Sequence, residues 1–452
     1  MKTLKLYAIA AFLTACFAII SVVPSAQAQR LAFIRDAEIE RTLKDLMAPF
    51  LEAAGLGRNS VDIYLVKDDR INAFVAGGTN IFFHTGLIQK SDSVEQLAAV
   101  IAHEIGHIAG GHLIRTQEQI RIAQIQSTIA TILGAGAAIA TGDAQIAGAA
   151  IGLGTSIAQA GFFSYSRAQE SAADQAGVRY METVGLSPSH AMNFMKKLEN
   201  QELLSAASKD LYARTHPLTR ERISFLRHAA DRSNKKGSLP DFQRERFHRI
   251  KAKLDGFIKP YNRVTKLYPL SDNSIAARYA RAIAHYKRSD LAQALPLLDQ
   301  LIAGEPSNPF FHELRAQALM EHGRLGEAHD SYAKAVQSYP GSSLLRATLA
   351  HVQLELGQPN LLPYARGNIE VALATEPTNA SYWSLAGRVY GKEGNIGMFN
   401  VTQAEASMAY GKFDQAVRWA QKAQGILPKG SIAWNRAVDL EQTAKRLAEK
   451  RR

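Results

Sequence analysis

The sequence predicts a mainly α chain in two parts: an α+β domain with a small sheet, then an α-solenoid of helix pairs. Three observations predict it. Strand-like segments at 61–66 and 79–84 stand before an apolar helical run that contains His103-Glu104-Ile105-Gly106-His107. Prolines then recur at Pro269, Pro306, Pro340 and Pro377, at spacings of 37, 34 and 37 residues, and Ala294, Ala328 and Ala365 each lie twelve residues before the next of them. A period near 34 with small residues at helix crossings is what stacked helix pairs require. Finally, 46% hydrophobic and 21% charged residues over 452 positions describe a globular chain with room for two or three domains and sizeable cores.

The first 28 residues stand apart. Lys2 and Lys5 precede a mostly apolar run from Leu6 to Val23, and Ala26-Gln27-Ala28 resembles a signal-peptidase site, so export with cleavage after Ala28 to the periplasm is expected. A retained anchor is the alternative. Leu13-Thr14-Ala15-Cys16 also resembles a lipoprotein box, although the chain stays apolar for seven residues beyond Cys16. Cys16 is the sole cysteine. The mature chain therefore has no disulfide, no thiol nucleophile and no Cys₄ zinc site. Loss of the leader lowers the net charge from +12 to +10, since it carries two lysines and no acid. That balance suits lipopolysaccharide or acidic lipid, or a solvated surface with no specific partner. Export argues against nucleic acid.

Residues 31–56 have apolar positions near a 3.6 period and read as an amphipathic helix. Val61 to Val66 alternates as a strand. Asn72-Ala73-Phe74-Val75 leads through Gly77-Gly78 into Thr79–His84, a strand whose edge either pairs with an extended peptide or is closed within the core. Asp92-Ser93-Val94-Glu95-Gln96 offers two overlapping capping boxes for a helix from about 93 to about 117. Residues 128–163 are rich in Ala, Gly and Ile and carry only Asp143 as a charge; they read as a buried hairpin or as a lid touching a membrane surface. A linker at 231–240 precedes the basic run Arg244, Arg246, Arg249, Lys251 and Lys253, expected as a solvated helix face. In the repeats, Trp383, Gly387 and Tyr390 have the spacing of a tetratricopeptide (TPR) helix, and three to five repeats are expected.

The chemistry lies in H-E-x-x-H. Residues four apart share a helix face, so His103 and His107 can turn nitrogens toward one Zn²⁺ while Glu104 takes a proton from its water. A hydrolytic zinc site needs three protein ligands and one open position. A metzincin would place a third histidine at 113, which is Leu113; His112 comes one residue early and is expected to face away. The better third ligand is Glu170, in Ser166-Arg167-Ala168-Gln169-Glu170-Ser171-Ala172-Ala173-Asp174 on a second helix. Asp174, one turn later, can accept the outer N–H of a ligand histidine.

With Asn72-Ala73-Phe74, Thr85-Gly86-Leu87 and Thr215-His216-Pro217-Leu218, these motifs resemble the Ste-type zinc metallopeptidases, gluzincins related to the CAAX prenyl endopeptidases and the heat-shock protease HtpX. The resemblance covers about residues 35–230. It implies one Zn²⁺ held by His103, His107 and Glu170, Glu104 as general base and Asp174 behind the ligands. It also implies that His216 either occupies the open metal position as a latch or steadies the oxyanion, and it singles out Arg222 as a residue holding that loop or substrate carbonyls. The expected organisation is a signal peptide at 1–28, a metallopeptidase domain at 29–230, a linker and basic helix at 231–268, and TPR-like repeats at 269–452. With the export signal, the resemblance implies a periplasmic endopeptidase acting on unfolded or misassembled outer-membrane β-barrel proteins, its repeats binding substrate or the barrel-assembly machinery. The alternative is a chaperone or adaptor with a latched, mostly inactive zinc site.

Overall fold

The structure, a computed structural model, describes residues 32–112, 167–204 and 215–451. The leader with Cys16 and the apolar stretch 128–163 lie outside the described residues. Among the described residues, no helix is long and apolar enough to cross a membrane.

Helix α1 (Ala37–Ala53) is shorter than its periodic pattern. Asp36 caps it by accepting the Ile39 N–H at 2.9 Å, and Gly55, at φ 71°, turns the chain away behind it. Its apolar face, from Ile39 through Leu43, Leu46, Met47 and Phe50, is buried in the main core. The sheet has the order β1-β2-β4-β3, with β1 at Phe33–Ile34, β2 at Asp62–Val66, β3 at Ala73–Ala76 and β4 at Asn80–His84. β2 and β4 are parallel, Asp62 opposite Asn80; β3 folds back antiparallel through Gly77 and Gly78, both at positive φ, as a tight hairpin requires. The strand before the H-E-x-x-H helix is therefore interior, and β3 forms the sheet edge beside it. Ile63, Leu65, Ile81 and Phe83 point into the core, while Tyr64, Phe82 and Phe74 stack on the opposite face with 5.0 Å between neighbouring centroids.

A short helix, α2 (Thr85–Lys90), follows without a sequence signal of its own. Gly86 is obligatory there: a Cβ would lie 2.1 Å from the Asp69 carbonyl oxygen. Helix α3 (Val94–Ala109) starts from the Ser93 cap, whose hydroxyl accepts the Gln96 N–H. Neither of the two possible capping boxes closes on its own cap residue: Gln96 reaches back to the Asp92 N–H at 3.0 Å, and Glu95 accepts the Leu239 N–H. Helices α4 (167–183), α5 (Ser189–Leu204) and α6 (Arg220–Arg232) complete the surroundings of the site.

The basic run lies on α7 (Asp241–Ile258), and two of its residues are not solvated. Arg249 Nε donates to Glu38 at 2.7 Å, and buried Lys253 places Nζ 2.8 Å from Asp36 and 3.4 Å from Glu38. The Tyr279 hydroxyl donates to the other Glu38 oxygen at 2.9 Å. The inward face of α7 crosses the acidic start of α1, so these cations find carboxylates where the pattern suggested water. Burial and the neighbouring Asp36 and Glu38 push the Glu313 carboxyl up to about 7, against the pull of Lys253.

After α8 (Tyr261–Leu267), five helix pairs follow among the described residues: Ile275–Tyr286 with Leu291–Gly304, Pro309–Glu321 with Leu325–Ser338, Ser343–Glu355 with Leu362–Thr375, Ala380–Lys392 with Ile396–Ala409, and Phe413–Ile426 with Ile432–Arg451. Pro306, Pro340 and Pro377 each stand just past a helix end, and Ala294, Ala328 and Ala365 are fully buried. Gly387 lets its helix meet the next one closely: a Cβ there would lie 3.1 Å from Thr402 Oγ1. Arg35 joins the repeats to α1 through two 2.9 Å hydrogen bonds to Glu376 and two of 2.8 and 3.2 Å to Glu40.

Removing the cation from a buried cluster leaves its carboxylates uncompensated. Lys253→Met is expected to lower the unfolding free energy by about 3 kcal/mol or more, measured by urea denaturation of the full chain.

Candidate metal centre

Helix α3 carries His103, Glu104 and His107 on one face, and α4 carries Glu170 and Asp174. What brings the faces together is the lack of side chains between them. A Cβ on Gly106 would lie 2.8 Å from the Ala173 carbonyl oxygen, and one on Gly177 would lie 3.3 Å from the His103 backbone nitrogen. The small residues of the two motifs are thus a requirement of the crossing. The loop before α6 then delivers His216. Thr215 donates its hydroxyl to Asn72 Oδ1 at 3.1 Å, and Thr219 caps α6 by accepting the Arg222 N–H.

Donor atoms converge. His103 Nε2 lies 3.3 Å from Glu170 Oε2, His107 Nε2 lies 3.1 Å from Glu170 Oε1, and the two Nε2 atoms are 3.1 Å apart. His216 Nδ1 joins them, 3.0 Å from Glu170 and 3.3 Å from His103 Nε2. One donor atom from each of the four residues falls within 4.8 Å of all the others. Behind them, Asp174 Oδ1 lies 2.9 Å from the outer nitrogen of His103, an ion-pair contact. Arg222 grips Asp174 through two hydrogen bonds of 2.6 and 2.9 Å, touches Glu170 at 2.8 Å and donates to the Pro217 carbonyl at 3.0 Å. Arg222 is buried, and its guanidinium is shared between the two acids and the Pro217 carbonyl of the His216 loop.

Electrostatics fit a divalent cation. Burial works against charge here, yet His216, His103 and His107 hold the Glu170 carboxyl well below the usual range, and Arg222 does the same for Asp174. Against the same burial, Asp174 and Glu170 push His103 up to about 10, and Glu170 and Glu104 raise His216. Burial, with the neighbouring His103, lowers His107. The carboxylates that draw these rings upward would equally meet a cation. Glu104 is the second sign. Its carboxylate is fully buried and has no hydrogen-bond partner among the described residues; the nearest cation-forming atom is His216 Nε2 at 3.5 Å. A bare buried carboxylate costs free energy unless a ligand or water meets it. Two histidines and a glutamate with a second carboxylate beside them are a donor set of hydrolytic metal sites.

The structure corrects the reading of His112. Helix α3 ends at Ala109, and Gly111 at φ 62° reverses the chain, so His112 swings back instead of facing away. Its Nδ1 lies 3.0 Å from His107 Nδ1. A second feature that the residue pattern did not reveal is the Ala73 carbonyl on the edge strand, to which His216 Nε2 donates at 3.1 Å.

Residues 34–230 match Peptidase family M48, and residues 279–343 match Tetratricopeptide repeat. The chain is 27% identical over 385 residues to a Beta-barrel assembly-enhancing protease of Yersinia pestis, covering 83% of this chain and 77% of the relative. It is 26% identical over 409 residues to the Beta-barrel assembly-enhancing protease of Escherichia coli (strain K12), covering 88% and 81%. A Mitochondrial metalloendopeptidase OMA1 of Schizosaccharomyces pombe is 25% identical over 186 residues, 41% of this chain and 50% of that one.

Adding a methyl group at the crossing forces backbone apart, because the atom it meets cannot turn aside. Gly106→Ala is expected to cost about 1–3 kcal/mol of stability and to weaken metal binding in parallel, read by thermal unfolding and chelator competition.

Proposed function

We propose, for a metalloprotease whose residues 34–230 belong to peptidase family M48 and whose tail carries tetratricopeptide repeats, the role of an exported zinc-dependent endopeptidase acting on misassembled outer-membrane β-barrel proteins. The observation that carries the hydrolytic reading is the meeting of His103 Nε2, His107 Nε2 and a Glu170 oxygen beside the buried carboxylate of Glu104, which has no hydrogen-bond partner among the described residues. The substrate class is supported by the names of the relatives, and the export by the leader at 1–28. The repeats are the surface for recruiting substrate or assembly machinery.

Zinc, when bound, would supply Lewis acidity at this centre. His103, His107 and Glu170 would hold the ion, and Asp174, beside the outer nitrogen of His103, would fix that ring so that Nε2 presents its lone pair inward. Glu104 accepts the proton of the attacking water and returns it to the departing amine nitrogen. Edge strand β3 offers its backbone to an extended peptide. His216 Nε2–H donates to Ala73, which in the neutral ring leaves Nδ1 as a lone pair among the ion-binding atoms. That placement favours the latch over the oxyanion role, and an adaptor acting with a closed site is the second reading it supports.

Glu104→Gln is expected to retain zinc and to lose at least about 100-fold in the cleavage of unfolded casein. Unchanged cleavage in this variant sinks the enzyme reading. Chelation of wild type should abolish cleavage, and added Zn²⁺ should restore it. His216→Ala is expected to raise the rate under the same assay; a fall would assign this histidine to the transition state instead.

A further inference from the structure

We propose that His112 is a positioning residue for the metal site: it holds the His107 ring and accepts the proton on His107 Nδ1, so that Nε2 is left with its lone pair facing the ion. The proposal rests on the metal-centre reading given above.

The geometry is specific. The two rings stand edge to face, with centroids 5.0 Å apart and planes at 80°. Their Nδ1 atoms are 3.0 Å apart, a hydrogen-bond distance at which one nitrogen donates and the other accepts. Two arrangements of the proton exist for a neutral pair. With the proton on His107 Nδ1, the His107 Nε2 atom presents a lone pair to Glu170 and His103. With the proton on His112 Nδ1, His107 carries its hydrogen on Nε2, aimed at the place of the ion. Metal binding selects the first and requires His112 to keep its own proton on Nε2.

The chain is built to bring this ring into place. Gly111 at φ 62° makes the reversal, and the bare Cα of Gly110 leaves room for the imidazole: a Cβ there would lie 2.4 Å from His112 Nε2. Gln169, next to the ligand Glu170, donates its amide to the His112 carbonyl at 2.8 Å and so ties the reversal to α4. His112 is itself buried. The outer partners of the two α3 ligands are therefore unlike: His103 leans on the Asp174 carboxylate, and His107 leans on the His112 ring.

The test uses the full chain in metal-free form, with Zn²⁺ as the probe, its dissociation constant measured by chelator competition at fixed pH. His112→Leu is expected to weaken zinc binding about 10–100-fold. His112→Asn, whose side-chain carbonyl can accept from His107 Nδ1, should recover most of that loss, and the melting temperature of the metal-free form should stay the same in all three proteins. A His112→Leu affinity equal to wild type overturns the proposal. So do equal losses in the Leu and Asn variants, which would assign His112 to packing alone. If wild type itself binds no zinc, the metal-centre reading falls, and the positioning proposal falls with it.

Discussion

The site depends on two helices meeting backbone to backbone. Helices packed through ordinary side chains sit 8–10 Å apart, a separation set by the ridges between them. At Gly106, Ala173 and Gly177 the ridges are missing, and the short Glu170 side chain reaches both histidine nitrogens at once. Arg222 then closes the arrangement by binding Asp174, Glu170 and the Pro217 carbonyl with one buried guanidinium. Take away the crossing and the remaining residues still exist, but they no longer share a centre.

Much of this was legible because it is local. His103, Glu104 and His107 are one helical turn of text, Glu170 and Asp174 are another, and the prolines and buried alanines mark the repeats at fixed offsets. What was not legible depends on partners far away in sequence or on a single torsion. Strand 79–84 could not be read as interior, because its neighbours are decided by β2 pairing in parallel across the hairpin. Arg249 and Lys253 read as solvent-facing, since their counter-ions Asp36 and Glu38 lie more than two hundred residues earlier. His112 was set on the wrong side by assuming that the helix continues; one glycine at positive φ reverses it.

The start of α1 serves the rest of the chain as well as its own helix. Within four residues, Arg35, Asp36 and Glu38 engage Glu376, Lys253 and Arg249, so one end of a helix anchors α7 and the third repeat pair. Buried ion pairs of this kind contribute little net stability compared with apolar packing, but they are costly to break one partner at a time. They fix orientation more than they add adhesion.

The two ends of the His216 ring have a further consequence. One nitrogen sits among the ion-binding atoms and the other holds the first carbonyl of β3, so freeing the centre means giving up both contacts together. A net peptide hydrogen bond contributes only about 0.5–1.5 kcal/mol. If an extended substrate pairs with Ala73–Ala76, as proposed above, it competes for the same carbonyl that holds the ring, so docking on the edge and opening of the centre become one event.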